Sequence, residues 1–139
     1  AFYREMFESY PFPIGNPEFL RGTMEKNVRY FLALDGATIV AASSCELDPG
    51  SQTAEMTDFA TSPQNRGKRI SSHLLHAMEE EANREQVILA YTIARAVSFP
   101  INSVFARAGY EFAGTLVNNT NICGSMESMN VWYRRVITR

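Results

Sequence analysis

A change of hydrophobic period between residues 53 and 93 most constrains what this chain can fold into. Thr53–Thr61 has the composition of a β-strand, and Pro63 ends it. From Lys68 to about Glu85 the apolar residues recur with helical spacing, and the apolar run Val87–Ile93 predicts a strand buried on both faces. A helix that leads from one strand to the next implies a right-handed crossover and two locally parallel strands. This stretch therefore predicts an α/β fold.

The remaining residues add further elements, so that the predicted order is α-α-β-β-β-α-β-α-β-β. The other predicted helices are residues 2–10, a helix capped by Asn16 with Pro17 in its first turn, and a helix from Ser98 and Pro100 to Gly109. The other predicted strands are Val28–Leu34 and Ala37–Leu47, joined at Asp35-Gly36, and later Tyr110–Asn118 and Ser128–Ile137. At 139 residues the chain is expected to form a single domain, 1–139, whose core needs neither metal nor disulfide.

Composition and charge argue against several classes of protein. The net charge is -2 without a long basic run, so nucleic-acid binding is not expected. No apolar stretch approaches the ~20 residues that a membrane helix requires. Cys45 and Cys123 are too few for a disulfide framework, which favours reduced thiols and a cytoplasmic protein. His73 and His76 on the long helix are more typical of a solvated face than of a metal site, so no metal is expected.

The loop before the long helix has the composition of an anion-binding site. Arg66-Gly67 opens that helix, whose first turn has free backbone N–H groups and the positive end of the helix dipole. These groups can bind a pyrophosphate, and Arg66, Lys68 and Arg69 add positive charge. The same pattern is equally typical of a plain strand–turn–helix with solvated basic residues, so the loop alone does not identify a ligand.

The order of motifs along most of the chain is more specific. A strand, Pro63, the pattern Arg-Gly-x-x-Ile, a long amphipathic helix and a buried strand are followed by Asn102, Phe105 and Gly109-Tyr110. Over residues 28–137 this order resembles the GCN5-related N-acetyltransferase (GNAT) superfamily. The resemblance implies an α/β fold of the α+β kind: a mixed, mostly antiparallel sheet with a splayed central pair of parallel strands, flanked by helices. It also implies acetyl-CoA as the acetyl donor, without a metal.

The resemblance further implies which residues contact the donor. Residues 64–71 match the family's pyrophosphate loop, Q/R-x-x-G-x-G/A, strand 53–61 would pair with the pantetheine arm, and strand 87–93 would splay away to leave a slot for the thioester. The residues implied in donor binding are Phe59, Ala60, Thr61, Gln64, Arg66, Gly67, Lys68, Arg69, Ile70, Ser71, Asn102 and Phe105. Backbone N–H groups near residues 59–61 would hold the thioester carbonyl and stabilise the charge that develops on it.

Three later segments are similar to a narrower group, the beta-lysine N6-acetyltransferases. They are residues 90–96, 114–122 and 127–133. The similarity implies acetyl transfer to a primary amine of a small molecule, the N6-amine of beta-lysine, in compatible-solute synthesis. Because those enzymes are usually longer at the N-terminus, the chain would be their C-terminal catalytic domain. Two alternative functions are left open: transfer to another amine (a polyamine, an aminoglycoside or a protein N-terminus), and a non-catalytic CoA-binding module. The oligomeric state is also left open, with a homodimer as the candidate.

Two positions depart from the family pattern. Arg69 stands where family members carry Gly or Ala so that the backbone approaches the phosphates closely, and it either weakens binding or supplies a charge-assisted contact. Phe105, four residues before Gly109, replaces a Tyr that protonates the departing thiolate in many family enzymes. The other candidates for that acid are Tyr91, Tyr110 and Cys123. Alternatively the thiolate leaves unaided, since a thiol has a pKa of about 8.5.

Amine acetylation also needs a base, because a lysine-like amine has a pKa of about 10.4 and arrives protonated. Glu55 and Asp58 are the candidates, and their odd separation on a strand predicts that they face opposite sides. The resemblance favours Glu55, since several family members keep their general base there. Asp58 is then either a polar residue on the strand face or the group that recognises the acceptor's ammonium.

The head group of the acceptor has two sets of predicted partners. Arg95, at the end of a strand, is the predicted partner of the carboxylate because its guanidinium offers a fork of donors. Asn118, Asn119 and Asn121 are predicted to donate uncharged hydrogen bonds to the head group, although the run is equally typical of a turn.

Overall fold

The computed structural model describes residues 1–136 and has the predicted order of elements. The helices are α1 (Phe2–Met6), α2 (Pro17–Met24), α3 (Ile70–Arg84) and α4 (Phe99–Arg107). The strands are β1 (Val28–Asp35), β2 (Thr38–Asp48), β3 (Thr53–Thr61), β4 (Leu89–Arg95), β5 (Glu111–Ile122) and β6 (Ser125–Arg135). Ile137, the predicted end of the last strand, lies outside the described residues. Within residues 1–136 no helix is long and apolar enough to cross a membrane.

The six strands form one mixed sheet in the order β1-β2-β3-β4-β6-β5, which confirms the predicted fold class. Every neighbouring pair is antiparallel except β3 and β4, which are parallel. Their ladder is short, because Thr53–Glu55 pairs with Leu89–Tyr91 and the two strands then continue without pairing. The parallel strands therefore diverge and leave a cleft between them, as the splayed pair of the prediction requires.

Both faces of the sheet carry packed residues, although the edge strand β5 is mostly exposed. One face packs against α3 and α4, with Met56, Leu75, Met78 and Phe105 fully buried between the layers. The other face carries the N-terminal segment, residues 1–15, through a smaller apolar cluster around Tyr3. Burial of this apolar surface on both sides is the main favourable contribution to folding.

The expectation that the strand after α3 is buried on both faces is wrong. Along β4 the buried residues alternate with half-buried ones such as Tyr91 and Ile93. The alternation arises because successive side chains of a strand point to opposite faces: Ala90 belongs to the core cluster with α3, whereas Tyr91 and Ile93 point to the other, less covered face.

Several element boundaries also differ from the predictions. The first helix ends at Met6 rather than at residue 10, because the backbone of Phe7 is extended. The last hairpin turns at Cys123-Gly124, both of which have positive φ, so residues 118–121 belong to β5 and not to a turn. The long helix begins at Ile70, two residues later than predicted.

Asn102 of α4 holds the open end of the cleft together. Its Nδ2 donates to the backbone oxygens of Arg95 (2.9 Å) and Ser98 (2.7 Å). Its Oδ1 accepts from Asn130 Nδ2 (3.0 Å) and Trp132 Nε1 (2.8 Å). One amide thus joins the end of β4, the start of α4 and the middle of β6.

We expect Asn102→Ala to lower the free energy of unfolding by about 2–4 kcal/mol, because the indole N–H and two backbone oxygens lose their partner in a half-buried site. Denaturant unfolding followed by circular dichroism measures the change. The matched control is Asn119→Ala, since that exposed side chain bonds only its neighbour Thr120. Equal stability of the two variants would contradict the role given to Asn102.

Candidate active site

The cleft between β3 and β4 has a volume of about 680 Å³ and contains most of the predicted donor-binding residues. It is bounded by the ends of the two strands, the loop before α3, the first turns of α3 and α4, and the N-terminal segment. The predicted site residues that line it are Asp58, Phe59, Ala60, Thr61, Arg66, Gly67, Arg69, Ile70, Ser71 and Arg95. Several other predicted residues lie outside this lining.

One end of the cleft is built to receive an anion. The first amides of α3, at Ile70, Ser71 and Ser72, have no partner within the helix, and no side chain of residues 1–136 caps them. Gly67 has a φ of +81°, and a Cβ at this position would meet no atom within 4 Å. Free amides, the positive helix end and an open approach suit a diphosphate group.

The basic side chains of the loop contribute unequally. The Nε of Arg66 donates to the backbone oxygen of Thr61 at 3.1 Å, which holds its guanidinium beside the strand. Lys68 is outside the cleft lining and donates to Asn65 Oδ1 at 3.3 Å. Gln64, in a short 3₁₀ turn, is exposed and also lies outside the lining.

The edge of β3 that faces β4 provides backbone groups for an extended ligand. Beyond Glu55 this edge has no strand partner within residues 1–136, although β3 continues to Thr61. Free backbone N–H and C=O groups on a strand edge can pair with an amide-containing chain in the manner of an added strand. Residues 59–61, the predicted contacts of the thioester, lie along this stretch of β3, although the backbone oxygen of Thr61 is already bound by Arg66.

A bulge in β3 overturns the prediction that Glu55 and Asp58 face opposite sides of the sheet. The register against β2 shifts between Ala42 and Ser44, and Asp58 has a φ of +56°. Ser44 lies opposite Thr57, which shares a face with Glu55, and its Oγ donates to Asp58 Oδ2 at 2.5 Å. The extra residue thus brings both carboxyl groups to the face that carries the N-terminal segment.

Asp58 is a buried carboxylate that faces the cleft. Its side chain accepts from Ser44 Oγ and, at 2.5 Å, from Tyr10 Oη, and the residue is 6% exposed. No Lys, Arg or His of residues 1–136 forms an ion pair with it. Burial raises its pKa, and the hydroxyl hydrogen bonds oppose that rise. A buried carboxylate without a cation favours a positively charged ligand.

Glu55 lies on the last ladder pair before the strands diverge, opposite Glu46 of β2 and Tyr91 of β4. Burial, and then the nearby charges of Glu46 and Asp58, raises its pKa to about 7. A carboxyl with this pKa can both accept and release a proton near neutral pH. Glu55 does not itself line the cleft, and neither does Tyr91, whose pKa is raised by burial and by the charge of Glu55.

Three predicted residues lie behind the cleft wall. Phe105 is fully buried, with ring centroids 5.6 Å from Phe59 and 4.9 Å from Tyr110. Tyr110 belongs to the same core, and burial raises the pKa of its phenol far above the usual value. Asn102 already uses its whole amide for contacts within the protein. The geometry therefore does not bring Asn102, Phe105 or Tyr110 into the cleft.

The predicted head-group residues are divided. Arg95 lines the cleft, and two of its nitrogens bind Glu127 in a bidentate ion pair with both distances 2.8 Å. The three asparagines do not line the cleft, because they lie on the edge strand β5. Of these, Asn121 accepts from Ser9 Oγ at 3.0 Å.

Tyr10 is a cleft residue that the sequence did not single out. It was predicted on the apolar face of a helix, and no local pattern marks it as a partner of Asp58. Its position depends on long-range contacts of Ser9, whose backbone oxygen accepts from Cys123 N (2.9 Å) and whose Oγ accepts from Gly124 N (2.8 Å). These contacts fasten the N-terminal segment to the tip of the last hairpin, so that Tyr10 covers the cleft.

Within the described part of the chain, no group of three or more His, Cys, Asp or Glu side chains could hold a metal ion. His76 is exposed and lies 3.6 Å from Glu80.

Comparison with known proteins agrees with this geometry. A relative from Methanococcus maripaludis, named beta-lysine N(6)-acetyltransferase, is 46% identical over 95% of this chain and 48% of its own length. The N-acetyltransferase YodP of Bacillus subtilis is 36% identical over 96% of this chain and 49% of its own length. The chain thus spans about half the length of the curated relatives it matches.

The fold is shared with solved acetyltransferases. The ribosomal-protein-S18-alanine N-acetyltransferase of Escherichia coli superimposes with a TM-score of 0.78 at 12% identity, over 97% of this chain and 84% of that one. The model of the family described as "Acetyltransferase (GNAT) family" matches residues 1–110. With that match over most of its length, and with a 46% identical relative, the chain belongs to the GNAT acetyltransferase family.

Proposed function

We propose that the cleft binds acetyl-CoA and transfers its acetyl group to a primary amine of a small molecule, the N6-amine of beta-lysine. The observation that carries the proposal is that one cleft contains both a site suited to an anion and a site suited to a cation. An uncapped helix end suits an anionic donor, and the buried carboxylate of Asp58 suits a cationic acceptor. The acceptor's identity is supported by two relatives, 46% and 40% identical, that are named beta-lysine N(6)-acetyltransferases.

The residues present fit the donor. The amides of the first turn of α3 and the open approach at Gly67 would hold the diphosphate, with Arg66 beside them. The free edge of β3 would pair with the amide groups of the pantetheine arm. Acetyl-CoA supplies an acyl carbon that is activated as a thioester.

In this proposal Glu55 acts as the general base. The acceptor's ammonium loses a proton to Glu55 through a water, because Glu55 lies outside the cleft lining, and the free amine attacks the acyl carbon. The new C–N bond forms as the C–S bond breaks. Backbone N–H groups of residues 59–61 would donate to the carbonyl oxygen as its negative charge grows. Asp58 would hold the ammonium during approach, and the Nη1 of Arg95 would bind the acceptor's carboxylate.

We propose that the thiolate leaves without a dedicated acid. Phe105 has no proton to give, and Tyr91, Tyr110 and Cys123 lie outside the cleft lining. The phenol of Tyr10 lines the cleft but donates its proton to Asp58. A thiolate is a good leaving group because a thiol has a pKa of about 8.5. We also propose a cytoplasmic location, since Cys45 and Cys123 are free thiols.

An acceptor screen tests the function. With acetyl-CoA as donor and released thiol as readout, we expect beta-lysine to have the highest kcat/KM among beta-lysine, a polyamine, an aminoglycoside and a peptide with a free N-terminus. Greater turnover of another amine would support the acetyltransferase activity but would show that beta-lysine is not the preferred acceptor. Calorimetric binding of acetyl-CoA without transfer to any amine would instead support a CoA-binding module.

We expect Glu55→Gln to lower kcat/KM at pH 7 by roughly 10²–10⁴-fold, the usual contribution of a general base. Because the pKa of Glu55 is raised to about 7, the carboxylate is present mainly above that pH. The wild-type rate should therefore rise with pH through about 7, and the variant should lack this rise and approach the wild type only as the amine itself deprotonates near pH ~10. A pH–rate profile measures both.

Asp58→Asn is the matched variant for this experiment, because it neutralises the neighbouring carboxylate on the same face. It should raise the KM for the amine and keep the rise, shifted to lower pH because the charge of Asp58 no longer raises the pKa of Glu55. An unchanged profile in Glu55→Gln would remove Glu55 from the role of base, and loss of the rise in Asp58→Asn alone would transfer that role to Asp58.

Phe105→Tyr tests the absence of an acid. Since Phe105 is fully buried between Phe59 and Tyr110, we expect the added hydroxyl to cost about 1–3 kcal/mol of stability without raising kcat. Phe112→Tyr is the control, because that ring is 54% exposed. Thermal unfolding and steady-state kinetics measure the two effects. A higher kcat in Phe105→Tyr would mean that a hydroxyl there reaches the reacting sulfur.

A further inference from the structure

A second cavity continues the cleft beyond the start of α3. It has a volume of about 570 Å³ and lies between α3 and α4. Arg69, Ser72, Val104 and Arg107 line both cavities, so the first turn of α3 and the last turn of α4 form a shared wall. A ligand held at the first amides of α3 can therefore extend into the second cavity without leaving the protein surface.

The second cavity is positively charged. Within residues 1–136 neither Arg69 nor Arg107 forms an ion pair. The carboxylate in its lining, Glu79, is bound by Arg134 Nη1 at 3.1 Å, and this nitrogen also donates to the backbone oxygen of Ala108. Since Arg134 and Glu79 neutralise one another, the guanidinium groups of Arg69 and Arg107 remain as uncompensated charge.

The backbone of Arg69 has a conformation that is unfavourable for a residue with a side chain. This residue caps α3 in the left-handed conformation, with φ 60° and ψ 25°, which glycine adopts at lower cost. An arginine at this position lowers stability relative to glycine but places a cation where the two cavities meet.

We propose that Arg69 and Arg107 bind a phosphate monoester, the 3′-phosphate of CoA, in the second cavity. The inference rests on the proposed function, which places the diphosphate of CoA at the amides of α3. CoA carries its diphosphate and its 3′-phosphate on the 5′ and 3′ positions of one ribose, so a 3′-phosphate must lie close to wherever the diphosphate is bound. A phosphate monoester carries a charge of about -1.5 to -2 at pH 7, and guanidinium groups bind it through paired N–H donors.

Arg69 stands where the family pattern has a small residue that lets the backbone approach the phosphates closely. In this proposal its side chain binds a phosphate instead. The open space at Gly67 still admits the diphosphate, because that glycine retains its positive φ. Arg69 is then a determinant of donor specificity, and Arg107 is its partner on the facing helix. An acetyl donor that lacks the 3′-phosphate would leave both charges without a ligand.

The test compares acetyl-CoA with acetyl-3′-dephospho-CoA in the wild type and in Arg107→Ala. We expect the wild type to bind acetyl-CoA roughly tenfold more tightly, as one or two charge-assisted hydrogen bonds would provide. Arg107→Ala should bind the two donors with similar affinity, and its kcat at saturating donor should match the wild type. Calorimetry gives the affinities, and steady-state kinetics gives KM and kcat separately.

Arg84→Ala is the matched control, because Arg84 lies at the far end of α3 and is exposed, and its one ion pair among residues 1–136 is with Glu81. It should discriminate between the donors as the wild type does. Arg69→Gly should lose discrimination and, by relieving the left-handed backbone, unfold at a higher temperature. A rise in inorganic phosphate should weaken acetyl-CoA binding more in the wild type than in Arg107→Ala.

Each contrary result has a separate meaning. Equal affinity of the wild type for the two donors, or full discrimination in Arg107→Ala, would overturn the 3′-phosphate site and leave the proposed function intact. An unchanged ratio in Arg69→Gly would remove Arg69 from the site. Failure of the wild type to bind either donor would overturn the proposed function, and this inference with it.

Discussion

The divergence of β3 and β4 is the constraint on which the rest of the structure depends. Their ladder ends after Glu55 and Tyr91. Beyond this point the backbone N–H and C=O groups on the facing edges of β3 and β4 no longer bond to one another. Unpaired backbone groups are costly unless water or a ligand reaches them, and a sheet therefore opens only where other contacts hold it apart. Here α3 and α4 pack under the open strands, and the amide of Asn102 binds the end of β4 to β6. Packing and hydrogen bonds within the fold thus keep the cleft open, and its strand edges present free amides to a ligand.

The charges around this cleft differ between the two faces of the sheet, and this difference would give each substrate its own side of approach. The helix end and the arginines lie towards α3, whereas Asp58 and Glu55 lie on the face covered by the N-terminal segment. The sheet separates the two regions, since the cleft passes between the strands. A donor with phosphates and an acceptor with ammonium groups would therefore approach from opposite sides, and each would be disfavoured at the other's end.

Local patterns predicted what depends on local structure. The switch from strand to helix at residues 61–70 was readable because period, proline and glycine act within a few residues, and the parallel pair followed from the crossover. The common face of Glu55 and Asp58 was not readable, because a bulge is set by packing against β2. Tyr10 was missed for the same reason: its contact with Asp58 spans 48 residues. The asparagines of β5 were misplaced because the hairpin turns later, at Cys123-Gly124.

The fully buried ring of Phe105 links the stability of the core to the chemistry of the cleft. Phe59 lines the cleft on one side and meets Phe105 edge-on in the core on the other, so the position of the cleft wall depends on that contact. A hydroxyl on the inner ring would need a partner that the apolar cluster does not offer, since its neighbours there are Phe59 and the ring of Tyr110. A phenylalanine therefore fixes the wall but gives up an acid. In the proposed reaction the loss is tolerable because the leaving group would be a thiolate, and Glu55, whose pKa is raised to about 7, would carry the remaining proton transfer.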